Sequence, residues 1–233
     1  SRQPEEIAER IRTRRDERRL GPDVVIHMGT NGIVQEEDLK PILEELADRN
    51  RVVVVNVRVP RVWMKPTNKM IETLVTQYPN VRLSIHAGEV DEPNYHVRDT
   101  LLLGADRIGH GLNLISDPQT LVQMRHGPYL VEINLISNLL LEYVSDFSQH
   151  PFPEYLRLGV PVALATDDRG MWDSTMTDEY FVAVKSFNLS WDELRLLTQN
   201  SIQYSFLGQE PKSRLLTALD ARFLAFEKYW QAQ

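Results

Sequence analysis

The residue types with the clearest chemistry stand where an apolar run stops. His86 and Glu89 are three residues apart, at the point where the run that begins at Leu83 gives way to a glycine, Gly88. A neutral imidazole is a common zinc ligand, and a carboxyl group can donate or accept a proton. At the end of a buried strand, this pair predicts a metal ligand beside an acid.

Two later apolar runs end in a similar way. One ends at His110, which a glycine follows, and the other ends at Asp167 and Asp168. The carboxyl ends of parallel strands lie on one side of a sheet or barrel, where the active sites of such folds are found. Taken alone, a histidine after a strand or an Asp-Asp pair is more often a cap or a turn. Three such ends on one side favour a shared functional site.

The composition restricts how a metal ion could be held. The chain has 233 residues and no cysteine, which excludes disulfides and thiolate zinc sites. Any transition metal must then be held by His, Asp or Glu. His86 and Asp167 are the candidate ligands. The groups that could move a proton beside them are Glu89, His110 and Asp168.

The bulk properties disfavour several classes of partner. A net charge of −7 argues against a protein that binds nucleic-acid backbones, which needs a basic face. No apolar run is long enough to span a membrane. The polar and charged opening does not resemble a signal peptide. We therefore expect a cytoplasmic protein with no nucleic-acid or membrane partner.

Strand and helix patterns alternate along the chain. Apolar, β-branched runs predict about six strands, separated by segments with helical spacing of apolar residues. This alternation is typical of a parallel sheet with right-handed crossovers. A closed barrel of this kind needs eight strands, so we expect an α/β fold of alternating βα units that forms a partial or modified TIM-like barrel. An incomplete barrel exposes sheet edges, which predicts self-association.

From about Leu83 to its end, the chain resembles the adenosine deaminase family of metal-dependent hydrolases. The resemblance implies hydrolytic loss of ammonia from the purine ring of adenosine or a related aminopurine, with one zinc ion that activates water. The motifs that carry it are His86-Ala-Gly-Glu89, Arg107-Ile-Gly-His110-Gly111, Ser137-Asn138 and Thr166-Asp167-Asp168.

The resemblance also implies a role for each residue. His86 and Asp167 are expected to bind the metal ion. Glu89 is expected to protonate the purine ring at N1, and His110 to orient the metal-bound water and take its proton. The substrate is expected to contact Gly88, Ser137, Asn138 and Asp168. Asp168 is expected to hydrogen-bond the purine N7.

The front of the chain departs from this family. Family members carry a His-x-His pair on the first barrel strand, and both histidines bind the metal, whereas this sequence contains no His-x-His. The nearest counterpart is His27, alone near the end of the first predicted strand, which we take as the candidate third ligand. Without it, two ligands remain, and the alternative hypothesis is a chimeric α/β scaffold that folds without catalysis.

Residues 1–82 resemble part of another family, the SGNH hydrolase domain that is fused to membrane acyltransferases. In that family Gly29 and Asn31 would belong to the block that stabilises an oxyanion. The serine block and the Asp-x-x-His block do not accompany them, so an SGNH-type esterase or acyltransferase fragment is the third hypothesis. We therefore expect a chimera: an SGNH-hydrolase-like βα segment over 1–82, and the C-terminal part of a deaminase-like barrel over 83–233.

Overall fold

The structure is a computed structural model that describes residues 13, 23–28, 36–46, 51–56, 73, 76–89 and 95–232. The chain divides into two compact units. One contains Ser1–Ala87 and Arg98–Arg107, and the other contains Gly88–Val97 and Ile108–Gln233. The boundary that the sequence predicts, between residues 82 and 83, stays a prediction.

The described part of the first unit contains parallel strands. β1 pairs in parallel with β2, and β2 pairs in parallel with β3. Four consecutive valines make β2 a strand, because β-branched side chains fit the pleated surface better than a helix. Helix α1 buries Ile42, Leu43 and Leu46, which share one helical face. The bounds are β1 Asp23–Met28, α1 Glu36–Leu46, β2 Arg51–Asn56 and β3 Arg82–Ala87.

Strands and helices continue to alternate after β3. β5 pairs in parallel with β6, with Ile133 opposite Leu164. The bounds after β3 are α2 His96–Leu102, β4 Arg107–His110, a 3-10 turn at Leu112–Ser116, α3 Pro118–His126, β5 Leu130–Ile133, α4 Leu135–Leu140, a 3-10 turn at Phe147–Gln149, α5 Phe152–Leu158, β6 Val162–Leu164, α6 Arg169–Trp172, α7 Met176–Phe187, α8 Trp191–Gln203 and α9 Gln209–Gln231.

The order of the strands agrees with the alternation predicted from the sequence. It is β1-β2-β3-β4-β5-β6, the order in which the strands follow one another along the chain. Parallel pairing in this order needs a crossover between successive strands. The predicted α/β fold of alternating βα units is therefore confirmed. Within the described ranges, no helix combines the length and the apolar character that crossing a bilayer requires.

Tyr155 holds the segment that follows β4. Its side chain is fully buried, and its hydroxyl donates to the carbonyl oxygen of Gly111 at 2.7 Å. The same hydroxyl oxygen accepts the backbone N–H of Ile115 at 3.0 Å. Burial raises the pKa of this phenol, so it remains a neutral donor. The backbone directly after His110 is thus tied to helix α5.

Tyr155→Phe is expected to lower the free energy of unfolding by about 1–3 kcal/mol, because it leaves buried backbone groups without their partner. Urea unfolding measures the change. Tyr229→Phe is the matched control, since Tyr229 is exposed on α9 and its substitution is expected to stay within about 0.5 kcal/mol. Equal stability of the two variants would contradict this role for the Tyr155 hydroxyl.

Candidate functional site

Gly88 forms the turn that places Glu89. Its φ is +68°, and a Cβ there would lie 2.8 Å from the Cγ2 of Val97. Its carbonyl oxygen accepts the backbone N–H of Asn113 at 2.9 Å. Backbone conformation and packing therefore both require glycine at this position. The expected contact of Gly88 with substrate stays a prediction.

Glu89 and His110 form a buried acid–imidazole pair. Their exposed fractions are 7% and 1%, and the Nε2 of His110 lies 3.6 Å from the Oε1 of Glu89. His110 has a φ of +66°, which is uncommon for a residue with a side chain and is found at functional sites. Water screens an interaction between buried groups only weakly. A charge on either group therefore acts strongly on the other.

Asn138 lies between two imidazoles. Its Nδ2 is 3.0 Å from the Nδ1 of His110, and its Oδ1 is 3.2 Å from the Nε2 of His150. Asn138 and His150 are both buried, and burial lowers the pKa of His150 to about 4. His150 is therefore neutral near pH 7. Sequence analysis assigned His150 no role, because a histidine before a proline in a loop fits many structural roles.

Asp167 is held by the residue that precedes Asn138. The hydroxyl of Ser137, which is fully buried on α4, donates to the Oδ2 of Asp167 at 2.7 Å. Asp167 is half-buried and has a φ of +52°, a second strained backbone position among the predicted site residues. Asp168 is exposed just before α6. On α4, Ser137 thus contacts Asp167, and its neighbour Asn138 contacts His110.

Glu179 supports the start of helix α4 from α7. Its buried carboxylate accepts the backbone N–H of Leu135 at 3.0 Å and that of Ile136 at 3.2 Å. Burial raises the pKa of Glu179 to about 7, and the negative charges of Asp167 and Asp178 act in the same direction. The sequence analysis missed this residue, because an acid in the first turn of a helix is usually a solvated partner of the helix dipole.

Two of the predicted site residues in the second unit can contribute ligands to one metal ion. His110 and Asp167 each offer one ligand atom, and these atoms lie within 4.8 Å of each other. An imidazole and a carboxylate match the nitrogen and oxygen ligands of zinc. His86 is in β3 of the first unit, and its role as a ligand stays a prediction. His27 lies in β1, but its side chain is outside the described part of the chain, so its role as a ligand stays a prediction. Gly29 and Asn31 lie outside the described residues, and their place in an oxyanion-stabilising block stays a prediction.

A family comparison agrees with this geometry. The model of the adenosine deaminase family matches residues 56–222, which is more than half of the chain. The chain belongs to the adenosine deaminase family. An adenine deaminase from Aspergillus oryzae is 34% identical over 140 residues, which are 60% of this chain and 40% of that protein. An adenosine deaminase from Enterococcus faecalis is 32% identical over 145 residues, which are 62% of this chain and 43% of that protein.

A solved structure shows the same fold. A cog1816 amidohydrolase from Burkholderia ambifaria, crystallised with bound Zn, superposes with a TM-score of 0.77 at 16% identity, over 96% of this chain and 62% of that chain. The likeness confirms the expected partial-barrel fold. The chain spans about two-fifths of the length of the curated relatives it matches. The family match begins at residue 56, and the SGNH resemblance and the chimera stay predictions.

Glu179 is expected to make the free energy of unfolding fall as the pH rises. Its pKa is about 7 in the folded protein, against an ordinary value of 4.5. Between these two pH values the folded protein keeps a proton that the unfolded chain has released, so a higher pH favours unfolding. A pKa difference of one unit corresponds to 1.36 kcal/mol, so the contribution of Glu179 to the free energy of unfolding is at most roughly 3 kcal/mol.

Urea unfolding at several pH values between about 4.5 and 7.5 measures this contribution as the difference between the wild type and Glu179→Gln. The variant is expected to lose it, and the control Glu210→Gln, at an exposed position on α9, is expected to keep it. The same pH dependence in all three proteins would mean that Glu179 has the same pKa in the folded protein and in the unfolded chain, which would contradict the prediction.

Proposed function

We propose that the protein hydrolyses the amino group of an aminopurine, adenine or adenosine or a close relative, and releases ammonia. The observation that carries the proposal is the buried pair of Glu89 and His110, with 3.6 Å between Oε1 and Nε2, at the motifs of the family to which the chain belongs. The adenine and adenosine deaminases among its relatives support a purine substrate.

Zinc is the proposed cofactor, and His86 and Asp167 are the proposed ligands. Histidine and aspartate supply the nitrogen and oxygen ligands that zinc takes in proteins, and the amidohydrolase of similar fold was solved with bound Zn. His27 on β1 is the proposed third ligand. When bound, zinc supplies a Lewis acid that makes water a nucleophile near neutral pH.

The residues of this chain supply the proton transfer and the positioning. The buried carboxyl group of Glu89 is the proposed acid that protonates a purine ring nitrogen. Asp168 is exposed just after β6, where its carboxylate is available to hydrogen-bond the purine. Ser137 and Asn138 keep Asp167 and His110 in place. The expected self-association and cytoplasmic location stay predictions.

One alternative is favoured by a specific observation. The sequence contains no His-x-His pair, which supports the hypothesis of a chimeric α/β scaffold that binds no zinc and has no activity. The two hypotheses differ in the metal content of the purified protein, so a metal measurement separates them.

Glu89→Gln is expected to lower kcat/KM for ammonia release from adenine or adenosine by about 100- to 10,000-fold, because glutamine keeps the size of the side chain but cannot deliver a proton. A coupled ammonia assay measures the rate. Glu210→Gln, at an exposed position on α9, is the control and is expected to retain wild-type activity. An unchanged rate in Glu89→Gln would refute the proposed role of this carboxyl group.

Metal analysis after equilibration with zinc and extensive dialysis is expected to find about one zinc ion per wild-type chain, in line with a single catalytic site. Asp167→Asn removes a charged ligand and is expected to lower that content at least tenfold. Asp173→Asn is the matched control, because Asp173 is exposed and also has a positive φ, of +47°. A wild-type protein without zinc would favour the inactive scaffold.

A further inference from the structure

Asn134 stands at the N-cap position of helix α4 but does not cap the helix. Its side chain makes no capping hydrogen bond, although asparagine is preferred at this position because its oxygen can accept a backbone N–H of the first turn. The carboxylate of Glu179 accepts the N–H groups of Leu135 and Ile136 instead. The amide of Asn134, which is 4% exposed, is therefore available for another contact.

The orientation of the Asn134 amide decides which contact it makes. In one orientation, Nδ2 donates to the carbonyl oxygen of Ala165 at 3.3 Å, but Oδ1 faces the carbonyl oxygen of Glu132, and Nδ2 also faces the backbone N–H of Asp167. When the amide is turned over, Nδ2 donates to the carbonyl oxygen of Glu132 at 2.8 Å, and Oδ1 accepts the N–H of Asp167 at 3.2 Å.

The turned orientation of the amide is the more favourable one. It makes two hydrogen bonds instead of one, and it places a proton between the two oxygens that would otherwise oppose each other at 2.8 Å. Its cost is that Oδ1 lies 3.3 Å from the carbonyl oxygen of Ala165, and repulsion weakens with distance. Opposed polar groups are costly in a buried place. The amide oxygen of Asn134 therefore accepts the N–H of Asp167.

We infer that Asn134 is a positioning residue that fixes the backbone of Asp167 and thereby the direction of its carboxylate. Asp167 has a φ of +52°, which a residue with a side chain keeps only when its surroundings hold it there. Asn134 holds its N–H, and Ser137 donates to its Oδ2 at 2.7 Å. The end of β5 and the start of α4 thus hold both the backbone and the carboxylate. The meaning of this contact for metal binding rests on the proposed zinc site.

Asn134→Ser removes this contact and leaves helix α4 able to begin at the same residue, because serine is also preferred at the N-cap. A single hydroxyl cannot bridge Glu132 and Asp167 as an amide does. Thr120→Val is the matched control. It removes another buried hydrogen bond, of 2.6 Å between the Oγ1 of Thr120 and the Oδ2 of Asp117, which lies at the start of α3 and involves none of the proposed site residues.

Hydrogen–deuterium exchange of the Asp167 backbone amide in metal-free protein tests the contact itself. Selective ¹⁵N labelling of aspartate makes the amide visible by NMR, and its signal is assigned by its loss in Asp167→Asn. A hydrogen-bonded amide exchanges slowly. The Asp167 amide is expected to be protected in the wild type and in Thr120→Val, and to exchange at least about tenfold faster in Asn134→Ser.

An unprotected Asp167 amide in the wild type would overturn the inference, and so would equal exchange in the wild type and Asn134→Ser. If the serine variant does not fold, Asn134→Gly takes its place, since glycine is also tolerated at an N-cap. This measurement needs neither zinc nor turnover.

The affinity for zinc, measured by competition with a chromophoric chelator, tests what the contact does for the carboxylate. Loss of a residue that orients a metal ligand typically lowers the affinity by about 10- to 100-fold. This loss is expected for Asn134→Ser, whereas Thr120→Val is expected to bind zinc as the wild type does. Faster exchange with unchanged affinity would overturn the positioning role. A wild type that protects the Asp167 amide but binds no zinc would refute the proposed zinc site and leave the contact in place.

Discussion

The side-chain amide of Asn138, buried between the imidazoles of His110 and His150, is the contact on which the rest of the site depends. An amide has one donor end and one acceptor end, so it can connect two rings only when their tautomers match. Ser137 beside it holds Asp167, and Glu179 caps the helix that carries both residues. One short helix after β5 thus sets the position of the imidazole and of the carboxylate.

The parts of the fold and site that follow from local sequence could be predicted. β-branched runs such as the valines of β2 mark strands wherever they occur, and the predicted order of six strands is the order that the structure shows. Residues at strand ends, such as His86, His110 and Asp167, could be singled out because parallel strands end on one side of a sheet. The ligand atoms of His110 and Asp167, which lie within 4.8 Å of each other, agree with that reasoning.

The supporting residues could not be predicted, because their roles depend on contacts between distant parts of the chain. His150 meets a residue twelve positions away, and Glu179 meets one forty-four positions away. Nothing in the local pattern around either residue differs from an ordinary loop or helix start. Gly88 shows a second limit of sequence analysis. The family resemblance implied that Gly88 contacts the substrate. Its φ of +68° and the close approach of Val97 require glycine at this position whether or not it does.

The central claim is that this chain, whose given sequence contains no His-x-His pair, binds zinc at His86 and Asp167. Diffraction from crystals grown with zinc, recorded on both sides of the zinc absorption edge, tests it most directly. The account predicts one anomalous peak at coordination distance, about 2.0–2.2 Å, from His86 and Asp167. No peak at these residues would contradict it.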